Sequence, residues 1–204
     1  MPRTAQVFRR ALISSAAAVL ILVPLTGCSF SGAAQPPAAV TSVSGAAEPP
    51  NVSESPNAPA PTQISIPSIG VTSQLMRLGL NADGTVEVPP ADKGMTAGWY
   101  AGGAVPGESG AAVVIGHNDT RFGKAVFHDL KKIAKGADIT VLNGLGEGTH
   151  FTVTGTETVS KSAFPSKKVY GETGGRVLRL ITCDGSFDAE GHPVDNLIVY
   201  ATLS

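Results

Sequence analysis

The sequence predicts a mainly β domain over residues 62–204, preceded by segments that do not belong to a fold. Three observations carry that expectation. Short runs rich in β-branched residues recur along the chain, glycine, asparagine and proline separate them, and only one stretch resembles a helix. Many short strands joined by glycine-rich turns point to a closed barrel or a sandwich.

Taken in order, Ile64-Ser65-Ile66-Pro67 alternates and is punctuated by Pro67 and Gly70, which predicts a strand at the domain entrance. Asn81-Ala82-Asp83-Gly84 lies between Leu78-Gly79-Leu80 and Val86-Glu87-Val88, a hairpin signal in which glycine supplies a positive φ. Ala111 to Ile115 is a continuous apolar run of the kind a fully buried strand requires. Ile139 to Leu142, Phe151 to Val159, Val177 to Thr182 and Leu197 to Leu203 complete the strands. Val126 to Ala134 is read as one short helix or turn. No internal repeat is present.

The N-terminal residues read as an address. Arg3, Arg9 and Arg10 form a positive n-region, and Ala11 to Pro24 is a short apolar run, the pattern of an export signal over residues 1–28. It ends in Leu25-Thr26-Gly27-Cys28, which resembles the lipobox of bacterial lipoproteins. That resemblance implies a diacylated Cys28 as the mature N-terminus and membrane anchoring through it. The alternative is an uncleaved signal anchor, although a spanning helix wants about 20 apolar residues. Residues 29–61 are Ala, Pro, Ser, Gly and Val with almost no charge, a composition that cannot offset its ordering entropy and reads as an extended spacer. The localisation expected is extracytoplasmic.

Charge argues against some functions. With 15 Lys+Arg against 16 Asp+Glu and a formal net charge of -1, the chain lacks the basic stripe of a nucleic-acid binder. Scattered histidines and one cysteine in the domain give no metal-ligand spacing, so neither a metal nor another cofactor is expected.

With Cys28 assigned to the anchor, Cys183 has no disulfide partner and is either an inert packed thiol or a nucleophile. In Leu180-Ile181-Thr182-Cys183-Asp184-Gly185 the apolar run stops at the thiol and a loop begins, a position at a sheet rim. Val113-Val114-Ile115-Gly116-His117-Asn118-Asp119 is a second apolar run that ends at a histidine. A free thiol has a pKa near 8.5. An adjacent imidazole can take its proton and later return one to a departing amine. A turn histidine with Asp119 in an Asx-turn is the plain alternative for His117. His128 reads as a surface residue, His150 begins a strand, and His192 lies in a loop that could approach Cys183.

Gly116-His117 and Leu180-Ile181-Thr182-Cys183 strongly resemble the two signature segments of sortases, and the closing run Asp195 to Ala201 fits the same family. Ile66-Pro67-Ser68-Ile69-Gly70 and the small size are similar to the class F sortases of actinobacteria. The resemblance implies an eight-stranded β-barrel and cysteine transpeptidation. Cys183 would attack the Thr-Gly bond of a Leu-Pro-x-Thr-Gly type sorting signal, and a cell-wall peptide amine would resolve the thioacyl intermediate, with His117 carrying protons. The partners implied are sorting-signal peptides and that amine.

One departure stands out. Sortases hold the developing oxyanion with an arginine on the strand after the cysteine, and here no arginine follows Cys183. Thirteen positions on stands Asn196, whose amide can donate to an oxyanion. Of the domain's arginines, Arg77, Arg121, Arg176 and Arg179, Arg121 follows His117 and is the candidate that restores charge. Arg179 shares strand parity with Cys183 but lies about 13 Å along the strand. An L,D-transpeptidase is a poorer match, since its motif sets His and Gly shortly before the cysteine and Arg shortly after. A non-catalytic lipoprotein that binds through a sortase-like barrel is the alternative from another class.

Overall fold

The structure is a computed structural model and describes residues 58–187, 189 and 193–204. The export signal, Cys28, most of the spacer and His192 lie outside the described residues.

Eight strands close a barrel in the order β1-β2-β3-β4-β9-β10-β8-β7. These are β1 (Pro61–Ile66), β2 (Val71–Leu78), β3 (Ala97–Tyr100), β4 (Gly110–Ile115), β7 (Asp138–Asn143), β8 (Gly148–Ser160), β9 (Arg176–Phe187) and β10 (Pro193–Leu203). A separate hairpin, β5 (Asp119–Thr120) and β6 (Gly123–Lys124), follows β4. One α-helical turn, α1 (Ser166–Tyr170), lies between β8 and β9. The fold is mainly β, as expected.

Two apolar clusters explain the strand patterns. The barrel interior holds Ile64, Phe127, Phe151, Leu178, Leu180 and Val199, all at 0% exposure. Outside the barrel, Val113, Ile115, Ile181 and Ile198 form a second cluster under Val169 of α1. The central pair β4 and β9 is parallel and buried on both faces, which is why Ala111 to Ile115 reads as continuous rather than alternating.

Three readings are refined. The Val126–Ala134 helix reduces to a 3-10 turn at Leu130–Lys132, because Val126, Phe127, Leu130 and Ile133 are all drawn into the barrel core and packing fixes the segment. The hairpin around Gly84 shrinks to the bridge Leu80↔Val86, with Gly84 at φ 80 in its turn. Strand β2 went unread because Ser73, a polar residue, occupies a buried position. Its Oγ donates to the Gln74 carbonyl at 2.7 Å and accepts from Ala97 N–H at 3.0 Å.

Candidate active site

Alternation along β9 sends Leu178 and Leu180 into the barrel and leaves Ile181 and Cys183 on its outer face. Cys183 is a free, half-buried thiol. Parallel β4 pairs Ile115 with Ile181, and the register runs on through the bond from Gly116 N–H to the Ile181 carbonyl at 3.0 Å. β4 ends at Ile115, and His117 follows two residues later, just past the strand that pairs with the Cys183 strand. Gly116 is required at this crossing. A β-carbon there would lie 2.5 Å from Phe127 Cδ2 and 2.7 Å from Val126 Cγ1. The next link holds too, since Phe127 N–H donates to the His117 carbonyl at 2.9 Å.

His117 and Cys183 both line a cleft of about 800 Å³ on the barrel's outer face. Ile115 and Ile181 belong to its floor. The segment between β2 and β3 forms one wall, presenting Leu80 and Val88 at 54% and 59% exposure. Phe164 and Tyr170, from the β8–β9 connection, form another. Tyr170 meets Tyr100 edge to face at 5.8 Å, and burial pushes its phenol up to about 12, so it stays a neutral hydroxyl. The cleft is therefore suited to a largely apolar ligand. Thr182 also borders it, and its buried Oγ1 has no partner.

The oxyanion candidates separate in space. Asn196 of β10 pairs directly with Cys183 across the sheet and lines the cleft. Directly opposed residues share a face, with β-carbons about 4.5–5.5 Å apart. Arg121 occupies the exposed tip of the β5–β6 hairpin, its guanidinium 4.8 Å over the Phe122 ring, and does not line the cleft. Arg179 lies 4.7 Å over the Tyr200 ring and donates to the Leu178 carbonyl at 3.1 Å. Among the described residues, Lys161 is the one lysine or arginine that lines the cleft. His128 Nδ1–H donates to Asp119 Oδ1 at 3.0 Å, and His150 sits near Thr140 and Asp138, both away from the cleft.

A sortase domain family model matches residues 64–204, essentially the whole barrel. The chain belongs to the sortase family. Its barrel is similar to sortase A from Corynebacterium diphtheriae (lid mutant), at 21% identity and a TM-score of 0.56 over 72% of this chain and 70% of that one. It is also similar to sortase C-1 from Actinomyces oris, at 23% identity and a TM-score of 0.55 over 70% and 71%. Sortase A from Listeria monocytogenes matches at 22% identity and a TM-score of 0.54 over 72% and 88%. Among curated proteins no sequence matches. At these identities the structural likeness speaks for the sortase fold.

The sequence of this sortase hid much of the cleft. The wall from Gly79 to Pro90, and Phe164 and Tyr170 around α1, carry no chemical motif. Their signal was apolar residues left in loops, which only the fold gathers around one thiol.

Proposed function

We propose that this sortase is a cysteine transpeptidase acting on a Leu-Pro-x-Thr-Gly type sorting signal, with Cys183 as nucleophile and His117 as proton carrier. The observation that carries the reading is that His117 and Cys183, which follow the paired ends Ile115 and Ile181 of β4 and β9, line one apolar cleft.

The Cys183 thiolate attacks the carbonyl carbon of the Thr-Gly bond, and the electron pair moves onto the carbonyl oxygen. Collapse breaks the C–N bond, and protonated His117 gives its proton to the leaving glycine amine. A thioacyl-enzyme remains. An incoming cell-wall amine attacks the same carbon, His117 takes its proton, and Cys183 leaves as thiolate. Asn196, opposite the thiol, is the donor proposed for the oxyanion. Arg121 fills that role only if its hairpin bends toward the cleft.

The finer assignments belong to the same proposal: membership of class F, anchoring through a lipidated Cys28, and work outside the membrane. They are supported by Ile66-Pro67-Ser68-Ile69-Gly70 and Leu25-Thr26-Gly27-Cys28. The absence of arginine among the described residues that line the cleft favours a second reading, a barrel that binds such peptides without cleaving them. A cleavage screen over Leu-Pro-x-Thr-Gly variants separates the two. Transpeptidation predicts release of the glycine-containing fragment and its absence from Cys183→Ala, whereas binding without release by the wild type supports the second reading.

A further inference from the structure

The imidazole of His117 has a partner that the proposed chemistry does not use. Nε2 lies 2.6 Å from the backbone carbonyl oxygen of Pro89. A carbonyl can only accept, so Nε2 carries the hydrogen, and in the neutral ring Nδ1 is then the lone-pair nitrogen. That carbonyl is unusually well fixed. Pro89 has its φ set by its own ring, and Pro90 after it restricts ψ of Pro89 to the extended region. Pro90 itself sits at φ -58 and ψ 143.

The segment is held at both ends. Upstream, Glu87 N–H donates to the Gly79 carbonyl at 3.1 Å, and Gly79 N–H donates to Glu87 Oε2 at 2.6 Å. Downstream, Lys93 N–H donates to the Pro90 carbonyl at 2.9 Å. The same segment presents Val86 and Val88 to the cleft.

We infer that the Pro89 carbonyl holds His117 as the Nε2–H tautomer, leaving Nδ1 as the nitrogen that exchanges protons, and that Pro89-Pro90 is a positioning element for the imidazole. The wall offered to a bound peptide is thus also what aims the proton carrier. This rests on the proposed role of His117 only for its kinetic consequence, because the tautomer is a property of the resting protein.

The test is two-bond ¹H–¹⁵N correlation of the histidine rings at alkaline pH in the full chain, with His117 assigned by loss of its signals in His117→Ala. The expected result is an Nε2–H ring with a through-hydrogen-bond correlation to the Pro89 carbonyl carbon. An Nδ1–H ring, an even exchange of the two neutral forms, a ring still doubly protonated, or absence of that correlation would overturn the inference. The variant Pro90→Ala keeps the carbonyl but frees ψ of Pro89. It should mix the two tautomers and lower kcat roughly fivefold, the worth of one ordinary hydrogen bond, with KM changed less than about twofold. A tautomer unmoved in the doubly freed Pro89→Gly/Pro90→Gly variant would also contradict it. If no peptide is cleaved by any form, the transpeptidase reading fails while the spectra still decide the tautomer.

Discussion

At Gly116 an added methyl would meet Phe127 Cδ2 at 2.5 Å, a ring with 0% exposure that has nowhere to retreat. The residue that lets β4 cross Phe127 is thus the one that delivers His117 to the cleft. Gly116→Ala should destabilise the domain by about 1–3 kcal/mol, the usual cost of overpacking a core, and denaturant unfolding measures it. The same variant should lose activity beyond its fraction unfolded, because His117 is displaced with the strand.

The oxyanion donor is decided at this scale as well. Losing one positioned donor typically costs about 10²–10³ in rate. Since Asn196 faces Cys183 while Arg121 stacks on Phe122, Asn196→Ala should slow acylation by that order and Arg121→Ala should leave it near wild type. Pre-steady-state acylation rates of the two variants check this. The opposite pattern would assign the role to Arg121. Near-wild-type rates for both would hand it to backbone N–H groups.

Among elements, α1 matters because it carries one cleft wall. Lys168 on α1 pairs with Glu157 of β8, whose Oε2 also accepts from the Tyr200 hydroxyl at 2.7 Å, and Lys168 Nζ lies 4.7 Å over the Tyr200 ring. The hydrogen bond from Lys168, then that from Tyr200, lowers the Glu157 carboxyl below its ordinary 4.5. A lowered carboxylate stabilises above its unfolded value and loses that contribution as pH falls through the folded one. The tie should therefore be complete at neutral pH and fade below about 4.5. Amide exchange of residues 166–170, corrected for its intrinsic pH dependence, should quicken in that acid range in the wild type, and Glu157→Gln should show the quicker exchange already at neutral pH.

The elements also show what the sequence could reveal. Cys183 and His117 were legible because the chemistry there needs particular residue types after apolar runs, but β9 runs on past the thiol to Phe187 where a loop was expected, and β4 stops at Ile115, two residues before the imidazole. Strand β2 was not legible, since buried Ser73 breaks the alternation and its hydroxyl is satisfied in part by the distant Ala97 N–H and Met95 carbonyl. The wall at Leu80 and Val88 was read as a hairpin, and its apolar residues find their use only when the barrel sets them opposite Phe164 and Tyr170. Counting thirteen positions on from Cys183 found Asn196, but its pairing with Cys183 is set by the β9–β10 register, and the remoteness of Arg121 depends on how β5 and β6 fold back.

For the whole molecule, the barrel is the catalytic head of a proposed tethered enzyme. If Leu25-Thr26-Gly27-Cys28 is a lipobox, mass spectrometry of the native N-terminal peptide should find diacylated Cys28 as the first residue. A native peptide beginning at Met1 or Pro2 with the apolar run intact would mean a signal anchor instead.

The central claim is that a thioacyl-enzyme forms on Cys183 with the help of His117. Intact-protein mass spectrometry after mixing with a Leu-Pro-x-Thr-Gly peptide, with no amine acceptor added, tests it most directly. The account predicts a mass increase equal to the peptide's acyl half, mapped to Cys183, together with release of the glycine-containing half. The adduct should be absent from Cys183→Ala and strongly slowed in His117→Ala. A cleaved peptide with no adduct on Cys183, or equal turnover by Cys183→Ala, would contradict the account.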